Sequence, residues 1–494
     1  MDKPVSEIAI VPIAAPPLTE SEKNAIIGGV LLSMLLAALD QTIVAPAMPT
    51  IGRLLGHADY LPWIVTGYLL TATAMAPLYG KISDVYGRRP TVYAAILIFL
   101  LGSLVSAMAP NMLVLVIGRA IQGAGGGGLF ALAQTVIGDL VPPRERARYA
   151  AWIAGTWAVA SIAGPLLGGT FAEHLHWSLI FWINIPLGLA AMAIINKPLK
   201  KLPIAAKHHR IDGLGAVLLV VATALLLLAL NWGGSTYPWM SREILGLVAC
   251  SAVFWAVFAL RLMRAAEPLI SLEVLGNPIV LAGTLSMFLL QAANIGLAVY
   301  LPVYLQAIVG LSVSDSGIAM LGLLLGTVAG ATFSGRMVPR FTHYKRIAMV
   351  GVLFAIVSLG LLALVAGHAS LLLVEVLTIC IGLGSGTTFP VATVSVQNAV
   401  DRVHLGVATG VLTFLRSLGS ALGVAMLGAI ALGYGLPLAG EGTPAAGQII
   451  SAVPFMMIFL VAAAILLLAF VTLALMPEKQ LRGHSEDAAP VLVE

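Results

Sequence analysis

The chain alternates long apolar runs with short breaks rich in charge, proline or glycine. Runs near 24–48, 61–80, 91–109, 112–138, 149–172 and 179–196 each approach or exceed the roughly 20 residues a helix needs to cross a bilayer. A basic linker, KPLKKLPIAAKHHR (Lys197 to Arg210), follows. Eight further runs lie near 213–231, 243–262, 279–307, 313–335, 346–367, 371–396, 404–432 and 450–475. Segments apolar all round rather than along one stripe suit a lipid environment, where helices satisfy their own backbone groups. The pattern predicts an all-α polytopic membrane protein with 14 transmembrane helices.

Composition agrees. Hydrophobic residues make up 60% of the 494, charged residues 10%, and mean hydropathy is +1.01, whereas soluble domains carry roughly a quarter charged residues. No room remains for a sizeable soluble domain, and the expectation is not an enzyme. With a cytoplasmic N-terminus, all but four of the 26 Lys and Arg residues fall on the cytoplasmic side. Arg53 and Arg242 fall outside, and Arg119 and Arg416 lie within spans. This is the positive-inside asymmetry, so both termini are expected in the cytoplasm, and the net charge of +4 reads as a topology signal rather than a sign of nucleic acid. The first 22 residues, acidic apart from Lys3, have no basic segment leading into an apolar core and read as a retained tail. Cys250 and Cys380 fall in spans and read as small core residues. The pairs His174/His176 and His208/His209 stand isolated in loops, and no metal site is expected. No phosphate-cradling loop or nucleophile elbow occurs, so neither ATP nor another cofactor is expected.

A weak internal repeat is visible. Gln122–Gly127 lies over Ile381–Gly386 at a shift of 259 residues, Arg144–Ala150 over His404–Gly410 at 260, and Gly80–Pro90 over Gly335–Lys345 at 255. Parallel six-helix repeats with a substrate site between them build one large class of secondary transporters. The expected organisation is a cytoplasmic tail (1–23), a six-helix half (24–196), a linker with two extra helices (197–278), a second six-helix half (279–475) and a cytoplasmic tail (476–494).

Charges inside spans are the sharpest chemical signal, because they are costly unless they face a partner or a water-filled cavity. Arg119 opens RAIQGAGGGG, whose glycines favour close helix pairing. Asp40, in AALDQTIVA, lies at a matching depth in the outer half of the membrane. The two read either as a proton-coupling carboxylate with its guanidinium partner or as a static ion pair. Glu375 in span twelve is a possible third member of that layer, although headgroup water is also within its reach. Arg416 in span thirteen either ties helices together through backbone carbonyls or meets substrate. Gln122, Gln291 and Asn294 offer neutral hydrogen bonds to a ligand or between helices. Tyr68, Trp157, Tyr300 and Phe389 are candidate cavity-wall aromatics, from a set that includes Trp63, Trp152, Trp182 and Tyr304. In the loop Gly80–Arg89, Asp84 is placed to meet helix N-termini and Arg88 to pair with Asp139, forming a latch with Gly80, Gly87 and Arg89 at the inner gate; a merely topogenic loop is the alternative. Gly164 and Pro165 mark a kink or close crossing, either hinge or passive packing.

These stretches carry a resemblance. LDQTIVAPAMP (Leu39–Pro49), GKISDVYGRR (Gly80–Arg89), RAIQGAGGG (Arg119–Gly127), ASIAGPLLGG (Ala160–Gly169) and WSLIFWINIPLG (Trp177–Gly188) occur in the order and spacing of the fourteen-helix drug:proton antiporter branch of the major facilitator superfamily, with Ala160 where glycine is usual. The resemblance implies two six-helix halves plus two extra helices between them. Spans one, four, nine and twelve would surround a central cavity, and the protein would be a monomer. It implies a multi-pass inner (plasma) membrane protein that exports drugs or other amphipathic small molecules in exchange for protons by alternating access. The rival is a transporter of one metabolite, such as a sugar, siderophore or amino-acid derivative. A non-transporting sensor or scaffold would need a soluble region, and the longest loops, Asn196–Asp212 and Tyr434–Ile449, are too short to fold alone.

Overall fold

The computed structural model describes residues 18–56, 60–201, 212–368, 370–436 and 451–481. Most of both expected tails, most of the basic linker with His208 and His209, and much of the loop 434–449 lie outside the described residues.

Fourteen helices long and apolar enough to cross a membrane are present among the described residues. They are α1 (Glu20–Leu55), α2 (Leu61–Tyr86), α3 (Arg88–Ala107), α4 (Met112–Leu140), α5 (Pro143–His174), α6 (Leu179–Leu199) and α7 (Gly213–Trp232). The second group is α8 (Arg242–Arg264), α9 (Pro278–Ala307), α10 (Val313–Met337), α11 (Lys345–Val365), α12 (Leu371–Ala399), α13 (Leu405–Gly433) and α14 (Val453–Leu475). Each matches a predicted run. The ends extend beyond the apolar cores because polar caps sit in the loops: Thr19 and Glu22 form a capping box on α1, and Asn111, Asp212, Ser241 and Asn277 accept from first-turn amides of α4, α7, α8 and α9. Two helices are interrupted, α6 at Ile183 and α12 at Thr387. Side chains from neighbouring helices meet the carbonyls there: Ser103 Oγ donates to Phe181 O at 2.9 Å and Ser334 Oγ to Thr387 O at 2.8 Å.

Packing repeats across the chain. In the first half α4 is wedged between α2 and α3, while α1 pairs with α5; in the second, α12 sits between α10 and α11, and α9 pairs with α13. Small residues set both pairings. A Cβ on Gly123 or Gly127 would collide with the α2 backbone at Tyr68 and Ala72, and one on Gly419 or Gly423 with the α9 backbone at Phe288 and Ala292. Two seams join the halves, α2 against α13 and α5 against α10. The extra pair α7–α8 packs as a hairpin whose α7 lies on α2 and α13, beside the first seam.

Candidate functional site

Three features stand out: a latch between the halves, a cavity between them, and a buried ionic cluster behind the cavity wall of the first half.

The latch forms where the sequence places its charges. Gly87, at φ 92°, ends α2 and begins α3 within one residue. That turn brings Arg88 back toward α2 and α4. Its Nε donates to Asp139 Oδ2 at 2.6 Å, and Nη1 donates to Asp84 Oδ1 at 2.5 Å and to Ser83 Oγ at 2.6 Å. Asp84 in turn caps the start of α13 in the other half, accepting from Gly406 N at 3.0 Å and Val407 N at 2.8 Å. A carboxylate at a helix N-terminus meets free amides and the positive end of the dipole. Gly80 makes the approach possible, since a Cβ there would strike the carbonyl of Gly406. Arg89 points elsewhere, donating to Asn196 Oδ1 at 3.1 Å. Two further bonds cross at this end and are not evident from the sequence: Arg146 Nη1 donates to Gln397 O at 3.5 Å and Gln397 Nε2 to Gln134 O at 3.3 Å.

Above the latch lies a cavity of about 610 Å³, within the usual size for small-molecule sites. Its floor includes Ala76, Gln134, Ala150 and Thr413. Its walls are mostly apolar, with Phe130, Trp157 and Phe389 as the aromatics and Gln41, Thr42, Thr66, Gln291, Thr327, Thr393, Arg416, Ser417 and Ser420 among the polar groups. Phe130 and Trp157 stack at 5.4 Å. Beyond the four helices the resemblance implies, α2, α5, α10 and α13 also contribute, because the closed seams bring them inward, and α7 adds Leu227, Leu230 and Asn231. Gln291, Phe389 and Trp157 therefore line the cavity; Gln122, Tyr68, Asn294 and Tyr300 do not. Tyr300 is buried in the packing of the second half, its hydroxyl beside Gly428. Asn294 lies outside the cavity lining, with a buried Oδ1 that has no partner among the described residues.

Behind the wall, Asp40 and Arg119 meet. Asp40 is 0% and Arg119 1% exposed, so neither is reached by solvent. Arg119 Nη1 donates to Asp40 Oδ2 at 2.5 Å and to Gln122 Oε1 at 2.7 Å, while Nε donates to the Ile64 carbonyl at 3.0 Å. The other carboxylate oxygen, Oδ1, accepts from Gln122 Nε2 at 2.7 Å and Asn184 Nδ2 at 3.1 Å. Ser103 Oγ accepts from Gln122 and Asn184 at 3.2 and 2.9 Å. The Tyr68 ring covers the guanidinium, its centroid 4.4 Å from Cζ. Asp40 is followed by Gln41 and Thr42, and Tyr68 is followed by Leu69; all three followers line the cavity, so the cluster and the cavity share a wall. Arg119, Gln122 and Asn184 thus all donate to the Asp40 carboxylate, one to Oδ2 and two to Oδ1, and tie α1 to α4 and α6.

Ser103 and Asn184 were not singled out by sequence. Asn184 does lie within WSLIFWINIPLG, a polar residue in an apolar run. Glu375 stands apart: it is partly exposed, lies outside the cavity lining, and its carboxylate makes no hydrogen bond or ion pair among the described residues. Gly164 faces Thr42 and Gly168 faces Ile43, making a close crossing of α5 with α1, and Thr42 Oγ1 donates to Ala160 O at 2.8 Å. Pro165 is exposed, and α5 continues through it. Among the described residues no cluster of His, Cys, Asp and Glu has the makings of a metal site.

Two pseudo-equivalent six-helix halves, closed on each other at one end around a central cavity, define a multi-pass membrane transporter fold. A model of the Major Facilitator Superfamily matches residues 30–424, and the chain belongs to that superfamily. It is 33% identical over 402 residues to multidrug resistance protein 3 of Bacillus subtilis, covering 81% of this chain and 78% of that protein. It is 32% identical over 431 residues to an uncharacterised MFS-type transporter of Mycobacterium tuberculosis, where the match covers 87% of this chain but only 63% of the longer relative. Among solved structures, the proton:xylose symporter XylE bound to 6-bromo-6-deoxy-D-glucose superposes with a TM-score of 0.64 at 15% identity, covering 94% of this chain and 98% of that one; that likeness concerns the fold alone.

Proposed function

We propose that the protein is a proton-coupled exporter of amphipathic or hydrophobic small molecules. It works by alternating access in the inner membrane, with both termini cytoplasmic and the monomer as the working unit. The observation that carries this reading is Asp40, a carboxylate sealed within the first half and one residue from the cavity wall. Arg119, Gln122 and Asn184 hold it by three hydrogen bonds. Proton binding at Asp40 and substrate binding in the cavity then act on the same wall, at Gln41, Thr42 and Leu69. Latch closure through Asp84, Arg88 and Asp139 corresponds to a state sealed from the cytoplasm, with Glu375 outside the coupling site.

The multidrug name of the Bacillus subtilis relative favours drug-like substrates. The mostly apolar wall suits them better than a sugar, whose many hydroxyls would need partners. The test is efflux from proteoliposomes under an imposed pH gradient across a panel of dyes and antiseptics. Asp40→Asn is expected to abolish gradient-driven efflux per molecule of folded, reconstituted protein. Undiminished efflux in that variant refutes the assignment.

A further inference from the structure

The chain holds two arginines deep in its spans and treats them differently. Arg119 is neutralised by Asp40 and bonded on three sides. Arg416, midway along α13, lies in the cavity wall, and among the described residues its guanidinium makes neither hydrogen bond nor ion pair. Apart from the backbone bonds of its helix, the bond at that residue is Ser420 Oγ donating to its backbone carbonyl at 3.1 Å. Among the described residues no Asp or Glu lines the cavity, and its ionised wall group is a cation. Two polar atoms of the same cavity lining, Gln291 Oε1 and Thr413 Oγ1, are also buried without a partner among the described residues. An unpaired guanidinium at this depth calls for water or an anion, and its planar fork matches a carboxylate or sulfonate edge. Across the cavity, the stacked Phe130 and Trp157 offer a flat apolar surface to the other end of a ligand.

We propose that the cavity selects amphipathic monoanions: an acidic head, carboxylate or sulfonate, paired with Arg416 beside Gln291, and an apolar or aromatic body laid toward Phe130 and Trp157. This rests on the reading of the cavity as the substrate site and narrows the substrates to organic acids over organic cations.

The test uses the full chain in phosphatidylcholine nanodiscs with no pH gradient, and three probes sharing one body: 1-pyrenebutyrate, its methyl ester, and the corresponding trimethylammonium cation. Binding is read by energy transfer from protein tryptophans to pyrene, with empty discs subtracted. The acid is expected to bind at least tenfold tighter than the ester or the cation. Arg416→Gln should remove that tenfold while leaving the Kd of the ester within twofold, and Arg416→Lys should restore part of it. The unchanged ester shows the variant to be folded. Cation binding equal to or tighter than acid binding in the wild type overturns the proposal. So does an equal loss for acid and ester in Arg416→Gln, which would make the arginine structural, and so does the absence of saturable binding by any probe. None of these outcomes bears on proton coupling, which fails or stands on the Asp40→Asn efflux measurement.

Discussion

At the scale of single residues, the buried pair Asp40–Arg119 carries the most consequence. Removing one partner leaves the other charge desolvated, which costs about 3–5 kcal/mol. Arg119→Ala is therefore expected to lower both thermal stability and transport. Asp40→Asn combined with Arg119→Gln removes both charges, so most of the stability should return, read as the melting temperature in detergent, while gradient-driven efflux should not. Recovery of efflux together with stability would reduce the pair to a structural role. The pairing was legible in the sequence because each residue is a lone charge in an apolar run and the two runs place them at one depth. Ser103 and Asn184, which complete the cluster, were not, since a single Ser or Asn in a span gives no hint of which neighbour it meets. The same limit applies to Tyr300 and Asn294. On a helix apolar all round no periodicity marks a face, and the crossing of α9 with α13 decides which side chains reach the cavity.

At the scale of elements, the number and order of helices were legible because each apolar run is bounded by charge or by Pro and Gly. The breaks at Ile183 and Thr387 each precede a proline by three residues, Pro186 and Pro390, whose missing N–H interrupts the helix ladder; what the sequence does not show is that Ser103 and Ser334 of neighbouring helices meet the Phe181 and Thr387 carbonyls there. The latch was partly legible: Asp84, Arg88 and Asp139 stood out by charge, whereas Gly406 and Val407 enter through backbone amides that any residue would present. The contact of Gly80 with Gly406 offers a direct test. Gly80→Val holds α2 off α13 by its added side chain. In a background lacking Cys250 and Cys380, a cysteine at Thr413 on the cavity floor should then react several-fold faster with a membrane-impermeant maleimide supplied from the cytoplasmic face of inverted vesicles. An unchanged rate would mean that this seam does not seal the cavity.

At the scale of the whole molecule, the weak sequence repeat marks corresponding contacts. At a shift of 255 residues Gly80 corresponds to Gly335, and each glycine closes a seam, on Gly406 in one case and on Ala147 in the other. The carboxylate is not duplicated: at the same shift Pro339 stands at the position of Asp84, which in the α2–α13 seam caps α13 and pairs with Arg88. The lone guanidinium of Arg416 bears on the energetics of the full cycle. Exchanging an organic cation for one proton would move no net charge, whereas expelling a monoanion for one proton transfers two positive charges inward. The membrane voltage then drives each turnover directly, contributing about 2.3 kcal/mol per charge per 100 mV, or about 4.6 kcal/mol for the pair of movements. Export of an organic acid should accordingly persist with the pH gradient collapsed and a potassium diffusion potential, negative inside, left in place, and should register as a current on a solid-supported membrane.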